Sequence, residues 1–145
     1  MSESPAVTAR WSRDKVRFEV TGPRGHGVTV DEPAPLGEDG GTDPAEILLS
    51  ALASCSGISA LSLLQKMRQP VNSLEVTARG HRQDSWPKAF TDIHLAFTVG
   101  GDGPFDNALV EKAVNLAHSR YCPVSGTIQL GNNGCTVDAT VKITQ

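Results

Sequence analysis

A chain of 145 residues with 39% apolar and 20% charged side chains is long enough to bury one sizeable core and too short for a second full domain. Thirteen Lys and Arg against sixteen Asp and Glu leave a formal charge of -3 with no long single-sign block, which excludes the basic footprint of a nucleic-acid-binding protein. Fourteen Gly and nine Pro are only modestly above average usage, so disorder throughout is excluded as well.

Residues 1–10 read as a polar N-terminal segment. Arg10 and Arg13 are followed by no long apolar run, so neither a signal peptide nor a mitochondrial presequence is evident, and a cytoplasmic location is expected. Val7, Ala9 and Trp11 suggest a first strand, with Ser12-Arg13-Asp14 as a hairpin turn. Val16, Phe18 and Val20 alternate with Lys15, Arg17 and Glu19, the period-2 pattern of a half-buried second strand, and Val28 with Val30 suggests a third. Asp31 to Thr42, with two Pro, three Gly and four acids, is expected to be an exposed loop.

At Asp43 the pattern changes. Asp43 suits an N-cap, Pro44 the first helical position and Glu46 the capping-box spacing, which predicts a helix from Pro44 to about Arg68, closed by Pro70. Its eighteen uncharged residues, Ile47 to Leu64, reach the lower limit for a membrane span. Five Ser and Gly57 are distributed around the helix, however, which favours a helix buried on most sides of a protein over a span.

Leu74, Val76 and Ala78 begin a further strand, and Ile93, Leu95, Phe97 and Val99 mark another. The connection between them carries Arg79, His81, Arg82, Asp84 and Trp86-Pro87, with Trp86 expected as a packed anchor. Leu109, Val110, Ala113, Val114, Ala117 and Tyr121 recur at three- and four-residue spacing and predict a second helix from near Asp106 to Arg120, ending at Cys122. Val137, Ala139, Val141 and Ile143 form the last strand. The order gives an α+β class in a single domain, 1–145, and short connections favour antiparallel pairing. A helix apolar on most faces needs more cover than one small sheet supplies, which points to a homodimer.

Three cysteines, Cys55, Cys122 and Cys135, are too few for a disulfide scaffold, and no CxxC or paired Cys/His ligand set accompanies them, which argues against a zinc finger and against a thioredoxin-type motif. Cys55 lies mid-helix, where a free cysteine commonly acts as a small hydrophobe. Cys122 precedes Pro123-Val124-Ser125. A short helix starting at Pro123 would make Cys122 its N-cap, where backbone N–H groups favour thiolate; the alternative is a thiol that merely fills a turn. Cys135, beside Gly134 at the start of the last strand, reads as structural. The four histidines show no ligand spacing: His94 belongs on the solvent side of its strand, His118 in a last helical turn where a cation suits the dipole, and His26 follows Gly25 close to the loop, with pocket lining as the lesser alternative.

The stretch TDPAEILLSALASCSGISALSLLQKMRQP, Thr42 to Pro70, followed by YCPVSGT, Tyr121 to Thr127, resembles the OsmC/Ohr family of thiol-dependent hydroperoxide reductases. LLQKMRQ and AFTDIHLAFTVGG resemble the OsmC-like, YhfA-like subgroup, and the likeness runs from about Trp11 to the C-terminus. It implies an OsmC-like fold, with antiparallel sheets packed around a long central apolar helix in an intertwined homodimer. It also implies a peroxidase without metal or other cofactor, acting on organic hydroperoxides in oxidative-stress defence and reduced by a dithiol or a lipoylated protein. Mapped by motif, Cys55 is the peroxidatic thiol and Cys122 the resolving one, by the route from thiolate to sulfenate to disulfide.

Proficient family members place a Glu directly after the helix-opening Pro, where this chain has Ala45. Glu46 is one position later, about 100° round the helix, and its ordinary role is the capping box. No motif fixes the family's activating Arg; Arg24, in Gly22-Pro23-Arg24-Gly25, and Arg13 are candidates that otherwise read as surface charges. A second class of function therefore stands beside the peroxidase: a non-catalytic small-molecule-binding or redox-sensing homodimer that keeps the fold.

Overall fold

The computed structural model describes residues 6–130 and 134–145. The chain divides into two compact units, Met1–Leu48 and Leu49–Gln145. The first holds an antiparallel three-stranded sheet in the order β1 (Thr8–Trp11), β2 (Phe18–Thr21), β3 (Gly27–Val30). Val16 is not in β2. The hairpin connection is longer than Ser12-Arg13-Asp14: it closes with Ser12 N–H on Arg17 C=O at 3.0 Å, and Arg13 and Lys15 take positive φ to turn the chain. The predicted half-buried alternation also fails here, since β1 is exposed along its whole length and Phe18 is exposed in β2.

The acidic loop after β3 is less free than its composition suggests. Asp31 is only 2% exposed. Its carboxylate accepts the backbone N–H groups of Gly40 at 3.0 Å, Glu32 at 2.9 Å and Glu38 at 3.3 Å, and Arg17 Nε lies 3.4 Å away. Asp31 N–H donates to Thr42 C=O at 3.1 Å, so the far end of the loop returns beside β3. A Cβ at Gly40 would meet the Arg17 guanidinium, the flexible end of that side chain, which would have to move aside.

Helix α1 (Pro44–Lys66) starts as predicted, with Asp43 Oδ1 accepting the N–H of Glu46 at 2.8 Å, a cap worth about 1 kcal/mol. It ends in a Schellman arrangement: Arg68 takes φ 57°, Gln69 N–H reaches Leu64 C=O at 2.9 Å, and Arg68 N–H reaches Gln65 C=O at 3.0 Å. Pro70 then prevents continuation. By length and hydropathy α1 could cross a membrane. In the fold, Leu52, Ser56, Ala60 and Leu64 form one buried stripe, and Leu52 and Ala60 join a core with Ile93, Leu95 and Phe97. Burial on most sides is not met within one chain, since Ile58 is 71% exposed.

The second sheet runs in the order β4 (Val71–Arg82), β5 (Phe90–Gly101), β6 (Thr136–Thr144). β4 is longer than predicted, so Arg79, His81 and Arg82 belong to the strand and the connection shrinks to residues 83–89. Trp86 in that connection is 82% exposed, with Lys88 Nζ 5.5 Å from its ring centroid, and is not a packed anchor. β4 and β5 are antiparallel, but β5 and β6 are parallel, with Ile93 beside Val137 and Phe97 beside Val141. That departs from the expected all-antiparallel pairing for a plain reason. The connection from Gly101 to Thr136 contains helices and is long enough to recross the sheet, which parallel neighbours require.

The crossover consists of α2 (Asn107–Leu116), a π-helical turn (Ala117–Tyr121) and α3 (Pro123–Gln129). Asp106 caps α2 by accepting Leu109 N–H at 3.2 Å, and its own N–H donates to Gln69 Oε1 at 2.8 Å. The predicted second helix therefore ends as a different helix type. His118, in the π-helical turn, is not the cation expected of a helix end. Its Nδ1 is buried without a hydrogen-bond partner, and burial lowers its pKa against the opposing charge of Asp138, so the ring is neutral at neutral pH. His94 Nδ1 lies 3.0 Å from Asp138 and its Nε2 3.0 Å from Thr140, and His26 is exposed in the β2–β3 turn.

The N–H groups of Gly40, Glu32 and Glu38 and the guanidinium of Arg17 hold the Asp31 carboxyl below its ordinary pKa, although burial opposes them. A lowered carboxyl pKa contributes stability above the unfolded-state value and loses it as pH falls through the folded-state value. Asp31→Asn is therefore expected to speed hydrogen exchange of the Glu38 and Gly40 amides at pH 7 and to flatten the acid dependence of that exchange below about pH 4. Wild-type exchange at these two amides in the variant would refute this role.

Candidate functional site

Two elements of the Leu49–Gln145 unit bring Cys55 and Cys122 together, although 67 positions separate them in the chain. α1 carries Cys55 on the flank of its buried stripe, packed against the same core that contains Cys122. Cys122 is 3% exposed, and its extended backbone (φ -89°, ψ 107°) makes it the N-cap of α3 with Pro123 at the first helical position. Its Sγ accepts the N–H of Ser125 at 3.3 Å, as a Ser or Asp oxygen would in the same place. The N-cap reading of CPVS is thus the one the fold adopts, rather than a thiol filling a turn.

Cys55 faces opposing influences. Partial burial raises its thiol pKa most strongly, and a hydrogen bond with the Cys122 thiol and that group's charge raise it further. The backbone N–H of Val124 donates to the Cys55 sulfur and pulls the other way. The balance is a raised pKa, so the thiol form dominates near neutrality. The Val124 amide is the functional group that the sequence reading missed. The CPVS motif could have indicated it, since a helix starting at Pro123 must present its first N–H groups forward.

Glu46 and Arg24 belong to the Met1–Leu48 unit. Glu46 Oε2 accepts the hydroxyl of Thr42 at 2.8 Å at the start of α1. Arg24 is exposed in the β2–β3 turn, and Arg13 is exposed in the β1–β2 connection. Cys135 is buried, its S–H pointing to Thr136 C=O at 3.5 Å, and burial followed by the charge of Asp92 raises its pKa, in keeping with a structural thiol. Among the described residues no group of three or more His, Cys, Asp or Glu is arranged to hold a metal ion. The chemistry available to the pair is thiol oxidation and disulfide formation, since both thiols belong to one packed cluster.

An α+β fold with a dithiol between a long helix and a helical N-cap defines a class of cysteine-bearing domains, and sequence comparison gives that class its name. The profile of the OsmC-like protein family matches residues 37–139, and the chain belongs to that family. Protein YhfA of Escherichia coli (strain K12) is 38% identical over 101 residues, covering 70% of this chain and 72% of YhfA. Among solved structures, the OsmC-like protein from Mycoplasma pneumoniae superposes with a TM-score of 0.84 at 19% identity over 100% of both chains. The organic hydroperoxide resistance protein OhrB of Bacillus subtilis does so with a TM-score of 0.61 at 22% identity over 98% of each. The OsmC-like fold is therefore established. The likeness to the Bacillus and Mycoplasma proteins is one of fold.

Because burial and Cys122 hold the Cys55 thiol above its ordinary pKa, its alkylation by iodoacetamide is expected to keep accelerating from about pH 7 to beyond pH 9. Peptide mass mapping identifies the site. A rate plateau below about pH 8 would contradict the raised pKa.

Proposed function

We propose that this chain is a thiol-dependent peroxidase that reduces organic hydroperoxides through Cys55 and Cys122. The observation that carries the proposal is that Cys55 packs against the buried cluster that contains Cys122, close enough for Cys122 to raise the Cys55 pKa. The names of family relatives with this fold, organic hydroperoxide resistance proteins, supply the substrate class. Cys55 is the more accessible thiol and takes the first step. Its thiolate attacks the terminal peroxide oxygen, the O–O bond breaks, the alkoxide leaves as alcohol after taking up a proton, and Cys55 becomes a sulfenic acid. Cys122 attacks that sulfur, water leaves, and a Cys55–Cys122 disulfide remains. A dithiol donor, such as a lipoylated protein, returns both thiols by exchange.

We place the protein in the cytoplasm as a homodimer. A groove of about 430 Å³ runs along α1 and β4, lined by residues that include Ala53, Gly57, Ile58, Leu61, Leu74 and Val76, and a second copy of the chain would cover it. Light scattering is expected to give twice the chain mass from nanomolar to micromolar protein; a stable monomer across that range would remove the dimer.

Ala45 favours a second reading. Without the Glu that proficient relatives place there, and with a raised Cys55 pKa, the same fold suits a redox-sensing or small-molecule-binding homodimer. Thiol titration before and after one equivalent of cumene hydroperoxide separates the two, with hydrogen peroxide as comparison. A peroxidase loses two thiols rapidly and yields a Cys55–Cys122 peptide. Cys55→Ser abolishes turnover, and Cys122→Ser leaves a trappable sulfenate or an over-oxidised Cys55. Slow or absent thiol loss selects the second reading, and full turnover by Cys55→Ser overturns the assignment of roles.

A further inference from the structure

Gln129, the last residue of α3, makes two contacts that the cysteine chemistry does not itself require. Its Nε2 donates to Ser125 Oγ at 2.8 Å and to Ser125 C=O at 3.2 Å. Ser125 is 0% exposed, so its hydroxyl oxygen has to find a partner within the protein, and Gln129 supplies it. Ser125 is also the residue whose N–H donates to Cys122 Sγ, and its neighbour Val124 is the one whose N–H donates to Cys55. Two consecutive amides thus serve the two sulfurs. α3 has seven residues, a length at which backbone hydrogen bonds alone are marginal, so the Gln129–Ser125 contact within the helix adds to what holds its first turn.

We propose that Ser125 and Gln129 are positioning residues for the cysteine pair, holding the first turn of α3 so that the Val124 and Ser125 amides face Cys55 and Cys122. The proposal rests on the dithiol reading of the site but concerns thiol geometry, not turnover. Freed from the clamp, the first turn of α3 shifts and the Val124 amide loses its aim. The Cys55 thiolate then loses the donor that favours it, its pKa rises, and less of the nucleophilic form is present at a given pH. Cys122 loses its fixed approach to Cys55 at the same time, so the disulfide forms less readily.

The test is the pH profile of Cys55 alkylation by iodoacetamide, followed by peptide mass mapping, in wild type, Gln129→Leu, Ser125→Ala and the double variant. Each single change is expected to displace the profile upward by about half a pH unit, which is about a threefold slower reaction at pH 8. The double variant is expected to resemble the singles, because both act through one clamp. Diamide-driven Cys55–Cys122 disulfide yield should fall in parallel. A merely structural role would lower the melting temperature and leave the profile where it was. Wild-type profiles in both single variants, or fully additive shifts in the double variant, overturn the proposal. Alkylation needs no peroxide, so a wild-type protein that ignores cumene hydroperoxide would sink the peroxidase reading and leave this test intact.

Discussion

The contact between the Cys55 and Cys122 thiols sets conditions on the rest of the Leu49–Gln145 unit. It requires α1 to lie on the sheet and α3 to begin beside α1. The first condition is met by the stripe of Leu52 and Ala60 against Ile93, Leu95 and Phe97. The second is met by the helical crossover that the parallel pairing of β6 with β5 requires. Had β6 paired as a simple hairpin, no helix would intervene and Cys122 would have no place at an N-cap. The helical crossover is thus the topological origin of the dithiol.

That origin brings an electrostatic cost. The same core that draws the two sulfurs together excludes water from them, and the removal of an ion from water is penalised by several kcal/mol when complete. An amide hydrogen bond contributes about 1 kcal/mol net, somewhat more to a charged acceptor. One N–H from Val124 therefore does not offset partial burial plus the neighbouring thiol, and the Cys55 pKa stays raised. Ala45 adds no charge or proton acceptor of its own. The pair is well placed for disulfide formation and Cys55 is poorly ionised beforehand, which puts the burden of reactivity on the first step.

What could be read from the residues divides along the same line between local and tertiary effects. The caps of α1 were legible, because Asp43, Pro44 and Pro70 act on backbone groups within a few positions. So was Cys122 as an N-cap, since Pro123 follows it directly. The pairing direction of β6 was not, because alternation in Val137, Ala139, Val141 and Ile143 identifies a strand without saying which way its neighbour runs. Asp31 looked like one acid of a polar loop; its burial depends on Arg17 and on amides as far away as Gly40. Trp86 looked like an anchor because Trp usually packs, yet in this chain its ring meets chiefly solvent and Lys88. The family resemblance supplied the roles of the cysteines, which periodicity and spacing do not contain.

The unusual composition of α1 remains to be placed in this physical picture. A helix that buries one stripe against a sheet needs a single apolar face, yet α1 is apolar almost all round. Within one chain, that leaves Ile58 71% exposed on the side away from the stripe. Covering a side chain of this size is worth about 1.5–3 kcal/mol, so several such positions would contribute substantially to association. A two-fold dimer brings the same patch from both subunits together, which makes an apolar helix face self-complementary. Cys55 lies between the two stripes, about 60° from buried Leu52 on one side and about 60° from exposed Ile58 on the other. A second copy over Ile58, as proposed, would close water away from the solvent flank of Cys55 and complete the walls of its site. The residue pattern that looks excessive for one chain then has a use, since the helix that supplies the thiol also supplies the surface that encloses it.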